Sequence, residues 1–122
     1  MHELAIAESV VQIACEHARG RRVTAVQVAA GHLRQIVPAA LAFAFELVAL
    51  GTPVEGARLE LREVPARVRC RACGADTRQD GFPLACRTCG GFDVEVVAGE
   101  ELLVEELEIE AEAEAEVVAD GR

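Results

Sequence analysis

The chain has 122 residues, 52% of them hydrophobic, which is enough for one domain or two small lobes with a core of Val, Leu, Ile and Ala, since there are four Phe and no Tyr or Trp. No run approaches the roughly 20 apolar residues of a membrane span, and Glu3 and Glu8 with no basic leader do not read as an export signal, so the cytoplasm is the expected location. The net charge of −9 is uneven: residues 93–122 hold 12 acidic residues against Arg122 alone, while 1–92 hold 11 Arg against 9 acidic residues, a balance that disfavours nucleic acid as a partner.

Residues 3–19 have helical periodicity, with Leu4, Ala7, Val11, Ala14 and Ala18 on one stripe and Gly20 as the expected stop. Residues 23–30, VTAVQVAA, predict a strand ending at Gly31. Pro38 suits the first turn of a second helix, roughly 38–50, whose apolar content predicts that it is largely buried. Residues 57–64, ARLELREV, alternate as a half-exposed strand does.

From Val68 to about Val97 the chain is rich in Cys, Gly and Arg and poor in large aliphatics. Residues 101–110, ELLVEELEIE, then predict a further strand. Leu102 and Val104 have one parity, Leu107 and Ile109 the other, and a bulge near Glu105 and Glu106 would bring all four to one face. The tail 111–122, low-complexity Glu/Ala, reads as solvated and disordered. The expected fold is therefore α+β: two helices packed on a small three-stranded sheet, with an inserted zinc-ribbon lobe. The expected division is 1–66 plus 99–110 for the first lobe and 67–98 for the insert.

The insert carries Cys70-Arg-Ala-Cys73-Gly and Cys86-Arg-Thr-Cys89-Gly, with twelve residues between the pairs. A C-x-x-C turn brings two sulfurs together, and two such knuckles complete a tetrahedron around Zn(II) at about 2.3 Å per bond. Gly74 and Gly90 permit positive φ, which turns backbone N–H groups toward the sulfurs. Four protein thiolates leave no open position, so the zinc is expected to be structural and to supply stability that this thin segment lacks. A redox dithiol or disulfides are the competing readings. A redox motif would open a helix, and the glycine after each pair disfavours that.

Cys15, inside the first helix, reads as a buried free thiol. Arg67, Arg69, Arg71, Arg78 and Arg87 cluster on the insert. They read as solvating charges, or else as a docking face for an acidic partner. No Ser-His-Asp or Cys-His arrangement is credibly placed, so no enzyme is expected.

The chain begins Met1-His2-Glu3-Leu4. A free amine, the residue-2 backbone nitrogen and the imidazole can close adjoining small rings around one ion, a planar nitrogen set that suits Ni(II) or Cu(II). Glu3 can add a backbone nitrogen or an oxygen. An adventitious His2 is the plain alternative. His17, near the end of helix one, is placed to answer the helix dipole, and His32 lies in the loop after the first strand, facing solvent or His2.

MHELAIAESVVQIACEHA at the start, FAFELVALGTPVEGARLELREVPARVRCRACG in the middle and CRTCGGFDVEVVAGEELLVEELEIE after it together resemble the HypA family of hydrogenase maturation proteins, to about residue 110. The resemblance implies a nickel metallochaperone. It would deliver Ni(II) to the large-subunit precursor of [NiFe]-hydrogenase together with a HypB-type GTPase, and some members also serve urease through its accessory proteins. It implies a nickel site at Met1, His2 and Glu3 and a structural zinc site at Cys70, Cys73, Cys86 and Cys89; the charge balance and the lack of a long apolar run lead to no expected nucleic-acid or membrane partner. One departure stands out. The loop HLRQIVPAA lacks the acidic residue that completes the nickel shell in some members.

Overall fold

The computed structural model describes residues 2–110, so Met1 and the tail 111–122 lie outside the described residues. The elements are α1 (Glu3–Ala18), β1 (Val23–Gly31), α2 (Pro38–Ala49), β2 (Arg58–Val64), β3 (Ala66–Cys70), β4 (Asp76–Gln79), β5 (Val94–Ala98) and β6 (Leu102–Ile109). They form one sheet ordered β2-β1-β6 and a second ordered β4-β3-β5. The chain separates into two compact units: residues up to 27 with 37–60 and those from 104, and residues 28–36 with 61–103.

In the first unit α1 packs against α2. Ile6, Ala7, Val10, Val11, Ala14 and Ala18 are the buried stripe of α1. The small alanines on that stripe let the helices approach closely, and β-branched residues fill the remaining volume. The helix stops one residue before the expected glycine. Arg19 itself takes the left-handed C-cap conformation at φ 54°, its N–H bonds Cys15 O at 3.3 Å, and Gly20 follows at φ +84°.

Pro38 opens α2 with Val37 as N-cap, and Leu41, Ala44, Phe45 and Ala49 form the buried face. The expectation of a largely buried α2 is corrected. Phe43, Leu47 and Leu50 are 63%, 51% and 60% exposed. The helix covers its unit from outside, so only one of its faces meets the core, whatever its total apolar content.

Strand β2 alternates as expected, with Leu59 and Leu61 half-buried between exposed Arg58, Glu60 and Arg62. In β6, Leu102, Val104, Leu107 and Ile109 are all half-buried, so the parity of the inward set switches at Glu105 and Glu106.

The cysteine-rich segment is more regular than its composition suggests. It folds into three antiparallel strands, with β3 central and paired to β4 (Val68 opposite Thr77) and to β5 (Val68 opposite Val96). Alternation in β3 buries Ala66, Val68 and Cys70 and exposes Arg67 and Arg69. One buried valine and a buried thiol provide little core, and the strand ladder carries the rest.

The second unit contains a close approach of three backbone segments. Leu33 N–H bonds Gly99 O at 2.8 Å and Gly31 N–H bonds Glu101 O at 2.8 Å. A Cβ on Gly31 would lie 1.9 Å from Gly99 O, and a Cβ on Gly99 would lie 2.7 Å from Ala66 Cα, at a φ of +114°. Backbone cannot retreat as a flexible side chain can, so only glycine fits at either position. Gly31→Ala is expected to lower stability by about 3 kcal/mol. Gly56→Ala, at φ +82° but in open space, is expected to lose only about 1 kcal/mol. Urea denaturation of the two variants should give this order.

Candidate metal centre

Cys70 is the last residue of β3, so the first knuckle grows directly out of the central strand. The second knuckle, Cys86–Cys89, precedes β5. The two have the same backbone geometry. Cys70 N–H bonds Ala75 O at 2.8 Å, and Cys86 N–H bonds Gly91 O at 2.8 Å. Gly74 N–H returns to Cys70 O at 2.9 Å, and Gly90 N–H to Cys86 O at 2.8 Å. Gly74 and Gly90 make these turns at φ +81° and +79°. Inside each loop an N–H points at the first sulfur: Cys73 N to Cys70 Sγ and Cys89 N to Cys86 Sγ, both 3.4 Å.

The four sulfurs lie within 4.8 Å of one another, the one group of His, Cys, Asp or Glu among the described residues arranged to hold a metal ion. Cys70 Sγ is 3.7 Å from Cys89 Sγ, and Cys73 Sγ is 3.6 Å from Cys86 Sγ. A tetrahedron with metal–sulfur bonds of about 2.3 Å has edges of about 3.8 Å. A disulfide needs sulfurs at about 2.05 Å. These separations therefore suit four thiolates sharing an ion, and all five cysteines are free. The residues present fit a tetrahedral soft-metal site.

The electrostatics divides each pair. The Cys73 N–H lowers the Cys70 thiol, and the Cys89 and Thr88 N–H groups hold the Cys86 thiol down to about 6. At Cys73 the Ala75 N–H pulls downward, but Cys86 and the other thiols push the value up to about 11. Cys89 is raised in the same way, against the Gly91 N–H. A cluster of four thiols cannot ionise together without a cation, so the second cysteine of each pair keeps its proton until a metal arrives.

His2 is exposed and is the N-cap residue of α1, where its carbonyl accepts Ile6 N–H at 3.1 Å. Glu3, by contrast, is buried. Its Oε2 accepts Val37 N–H at 2.9 Å and so ties the first turn of α1 to the start of α2. The positive amino terminus, then the Val37 N–H and its own N–H, bring its pKa from 4.5 down to about 2. The loop before α2 thus answers Glu3 with a backbone donor, and it brings no acidic side chain of its own.

His32 occupies a 3-10 turn (His32–Arg34), where Nε2 is 3.1 Å from Glu63 Oε1. His17 Nδ1 lies 3.0 Å from Ile13 O in the last turn of α1. Cys15 is half-buried, where the sequence suggested full burial. Three of the five ribbon arginines are engaged by carboxylates: Arg67 with Asp76, Arg71 with Asp93 and Arg87 with Asp80, at 2.7 to 2.9 Å.

Sequence reasoning passed over the polar side chains that support the second knuckle. Gln79, in β4, is buried and bonds both backbone groups of Ala85. A lone glutamine in an otherwise polar strand gives no signal in sequence.

A helical unit on a small sheet, joined in one chain to a four-cysteine ribbon, defines a small α+β protein with a candidate tetrahedral metal centre. A family model described as hydrogenase/urease nickel incorporation, metallochaperone, HypA, matches residues 1–109. The hydrogenase maturation factor HypA of Geotalea uraniireducens is 47% identical over 110 residues, covering 90% of this chain and 100% of that protein. The hydrogenase maturation factor HypA of a Nostoc species is 40% identical over 110 residues, covering 90% and 96%. The solution structure of the Ni metallochaperone HypA from Helicobacter pylori shares the fold, with a TM-score of 0.67 at 22% identity over 91% of this chain and 99% of that one. The chain belongs to the HypA family of nickel metallochaperones in hydrogenase maturation.

Two outcomes follow from the titrating groups. Metal uptake by the metal-free chain near pH 7 should release at least the two protons held by Cys73 and Cys89. Calorimetry in buffers of different ionisation heat counts them, and affinity should rise with pH. For Glu3 the folded pKa is depressed, so its contribution to stability is present above about 4.5 and is lost as pH falls toward about 2. Glu3→Gln keeps an acceptor for Val37 N–H but removes the titration. Its stability should therefore vary less than that of the parent across this window, followed by helical circular dichroism in denaturant.

Proposed function

We propose that the chain binds Ni(II) at its amino terminus and delivers it to the large-subunit precursor of [NiFe]-hydrogenase. The ligands are the Met1 amine, the His2 imidazole and backbone nitrogens of the first residues. The observation that carries this reading is the contrast between His2 and Glu3. His2 is exposed at the head of α1 with no side-chain capping bond, while the Glu3 carboxylate is buried against Val37. Glu3 therefore contributes through its backbone nitrogen and by anchoring the chain behind His2, while its carboxylate answers both the positive amino terminus and the Val37 N–H.

Planar nitrogen ligation favours Ni(II) over Zn(II), which prefers a tetrahedron. The α-amine, with an ordinary pKa of roughly 7.7–8.0, must give up both its proton and its interaction with the Glu3 carboxylate when the ion binds. The same property makes the cargo releasable, because reprotonation competes with the metal. The protein is a carrier and not a catalyst.

Cys70, Cys73, Cys86 and Cys89 hold Zn(II) as a structural ion, which neutralises thiolates and fixes the two knuckles to each other. The functional division is a nickel lobe of residues 1–66 with 99–110 and a zinc-ribbon lobe of 67–98. The partners are a HypB-type GTPase and the hydrogenase precursor, in the cytoplasm, with urease accessory proteins as a second outlet for nickel. None of the described helices is long and apolar enough to cross a membrane. Three of the five ribbon arginines face carboxylates, and the acidic balance of residues 93–122 opposes phosphate further, so nucleic acid is not a proposed partner.

The test is a nickel titration of the tag-free protein beside His2→Ala, Glu3→Gln and a version with one residue added before Met1. One Ni(II) per chain is expected for the parent and for Glu3→Gln, with loss of at least tenfold in affinity for the other two. Equal binding by all four would place nickel elsewhere and leave a zinc-ribbon interaction module as the reading.

A further inference from the structure

The two knuckles are supported unequally. The first is the end of a central strand, with Cys70 paired to Val94 across the ladder. The second follows the segment 80–85, which has no strand pairing. β4 pairs β3 on one side only, and its other edge is free of strands. On that edge Gln79 replaces a strand with its side chain. Its Nε2 donates to Ala85 O at 2.7 Å, and its Oε1 accepts Ala85 N–H at 3.2 Å.

This two-point carboxamide–peptide pair fixes both backbone groups of the residue immediately before Cys86. Gln79 is one of two buried polar residues among the described ones, the other being Glu3. Thr77 Oγ1 lies 3.4 Å from Gln79 Nε2 and 3.5 Å from Arg87 N, a weaker continuation of the same edge. The Arg87–Asp80 ion pair lies beside it but is solvent-exposed at both ends, 57% and 80%, and contributes little.

We propose that Gln79 is the positioning residue of the four-cysteine centre: its carboxamide presets the second knuckle before metal arrives and so governs metal capture and release. The proposal rests on the reading of the cysteines as a metal site. The chemistry is specific to a primary amide. A donor and an acceptor on one neutral planar group at this reach are offered by Gln, whereas an ionised Glu presents two acceptors and repels Ala85 O. A carboxylate there would also add negative charge beside the thiolates. Without the clamp, the Cys86–Cys89 loop must be ordered by the ion itself, and that cost weakens binding and speeds loss.

The experiment uses the full chain with Zn(II) and Co(II) alone, comparing the parent, Gln79→Ala, Gln79→Glu and Asp80→Ala. Affinity is read by competition with a chromophoric chelator, release by the rate of transfer to that chelator at room temperature, and ligation by the Co(II) thiolate charge-transfer bands. Helical circular dichroism verifies folding, and the isosteric Gln79→Glu stands in if Gln79→Ala does not fold. Both Gln79 variants should bind about 10–100-fold more weakly and release faster, with the four-sulfur Co(II) spectrum retained, while Asp80→Ala stays within twofold of the parent. Release and affinity within twofold of the parent in both Gln79 variants would overturn the role, as would a lower melting midpoint with unchanged release. A parent chain that takes up no metal at the cysteines would overturn the metal-site reading itself, a different failure from equality among the variants.

Discussion

Four sulfurs separated by at least twelve residues of intervening chain between pairs must converge on one point, and much of the second unit is arranged to let them. The edges of 3.6 and 3.7 Å require both knuckles to present their sulfurs from tight turns. Those turns require positive φ at Gly74 and Gly90, and they require backbone N–H groups aimed at the first sulfur of each pair. The three strands β3, β4 and β5 place one knuckle at a strand end and the other before a strand start. With Ala66 and Val68 as the small buried core, an apolar cluster alone would leave this segment marginal. The candidate metal site and the ribbon therefore form one object: the ladder positions the sulfurs, and an ion shared among them would tie the loops.

The helical unit follows a different logic. Its core is helix on helix, with alanine and valine on α1 facing leucine and phenylalanine on α2. The polar contact that orders the start of the chain is the buried Glu3 carboxylate on Val37 N–H. Val37 is the N-cap residue of α2 and Pro38 its first helical residue, so one carboxylate fastens the origins of two helices. This arrangement leaves His2 as the exposed side chain just ahead of an anchored residue.

The exposed Phe43 and Leu47 on α2, with Leu50 at its C-cap, show how far amphipathicity alone can mislead. Their spacing is helical, and their hydrophobicity would place them in a core. In a unit with one helical layer there is no second layer to receive them. The half-buried Cys15 is an example in the other direction, where a helical position gives partial cover only.

The sequence by itself determined the local chemistry. The C-x-x-C-Gly pairs name their own geometry, because ring closure, sulfur ligation and positive φ are properties of a few adjacent residues. Helix and strand periodicities located α1, α2, β1, β2 and β6, and the parity switch at Glu105 and Glu106 was legible from the order of apolar residues. The tertiary structure decided whatever depends on residues distant in the chain. It fixed the strand order and register of the expected ribbon, with β3 central between β4 and β5, since ladder pairing leaves little trace in short arginine-rich strands. It put Glu3 on Val37, Gln79 on Ala85 and the backbone of Gly31 on that of Gly99. None of those contacts has a periodic signal, because each depends on where two distant stretches of backbone come to lie.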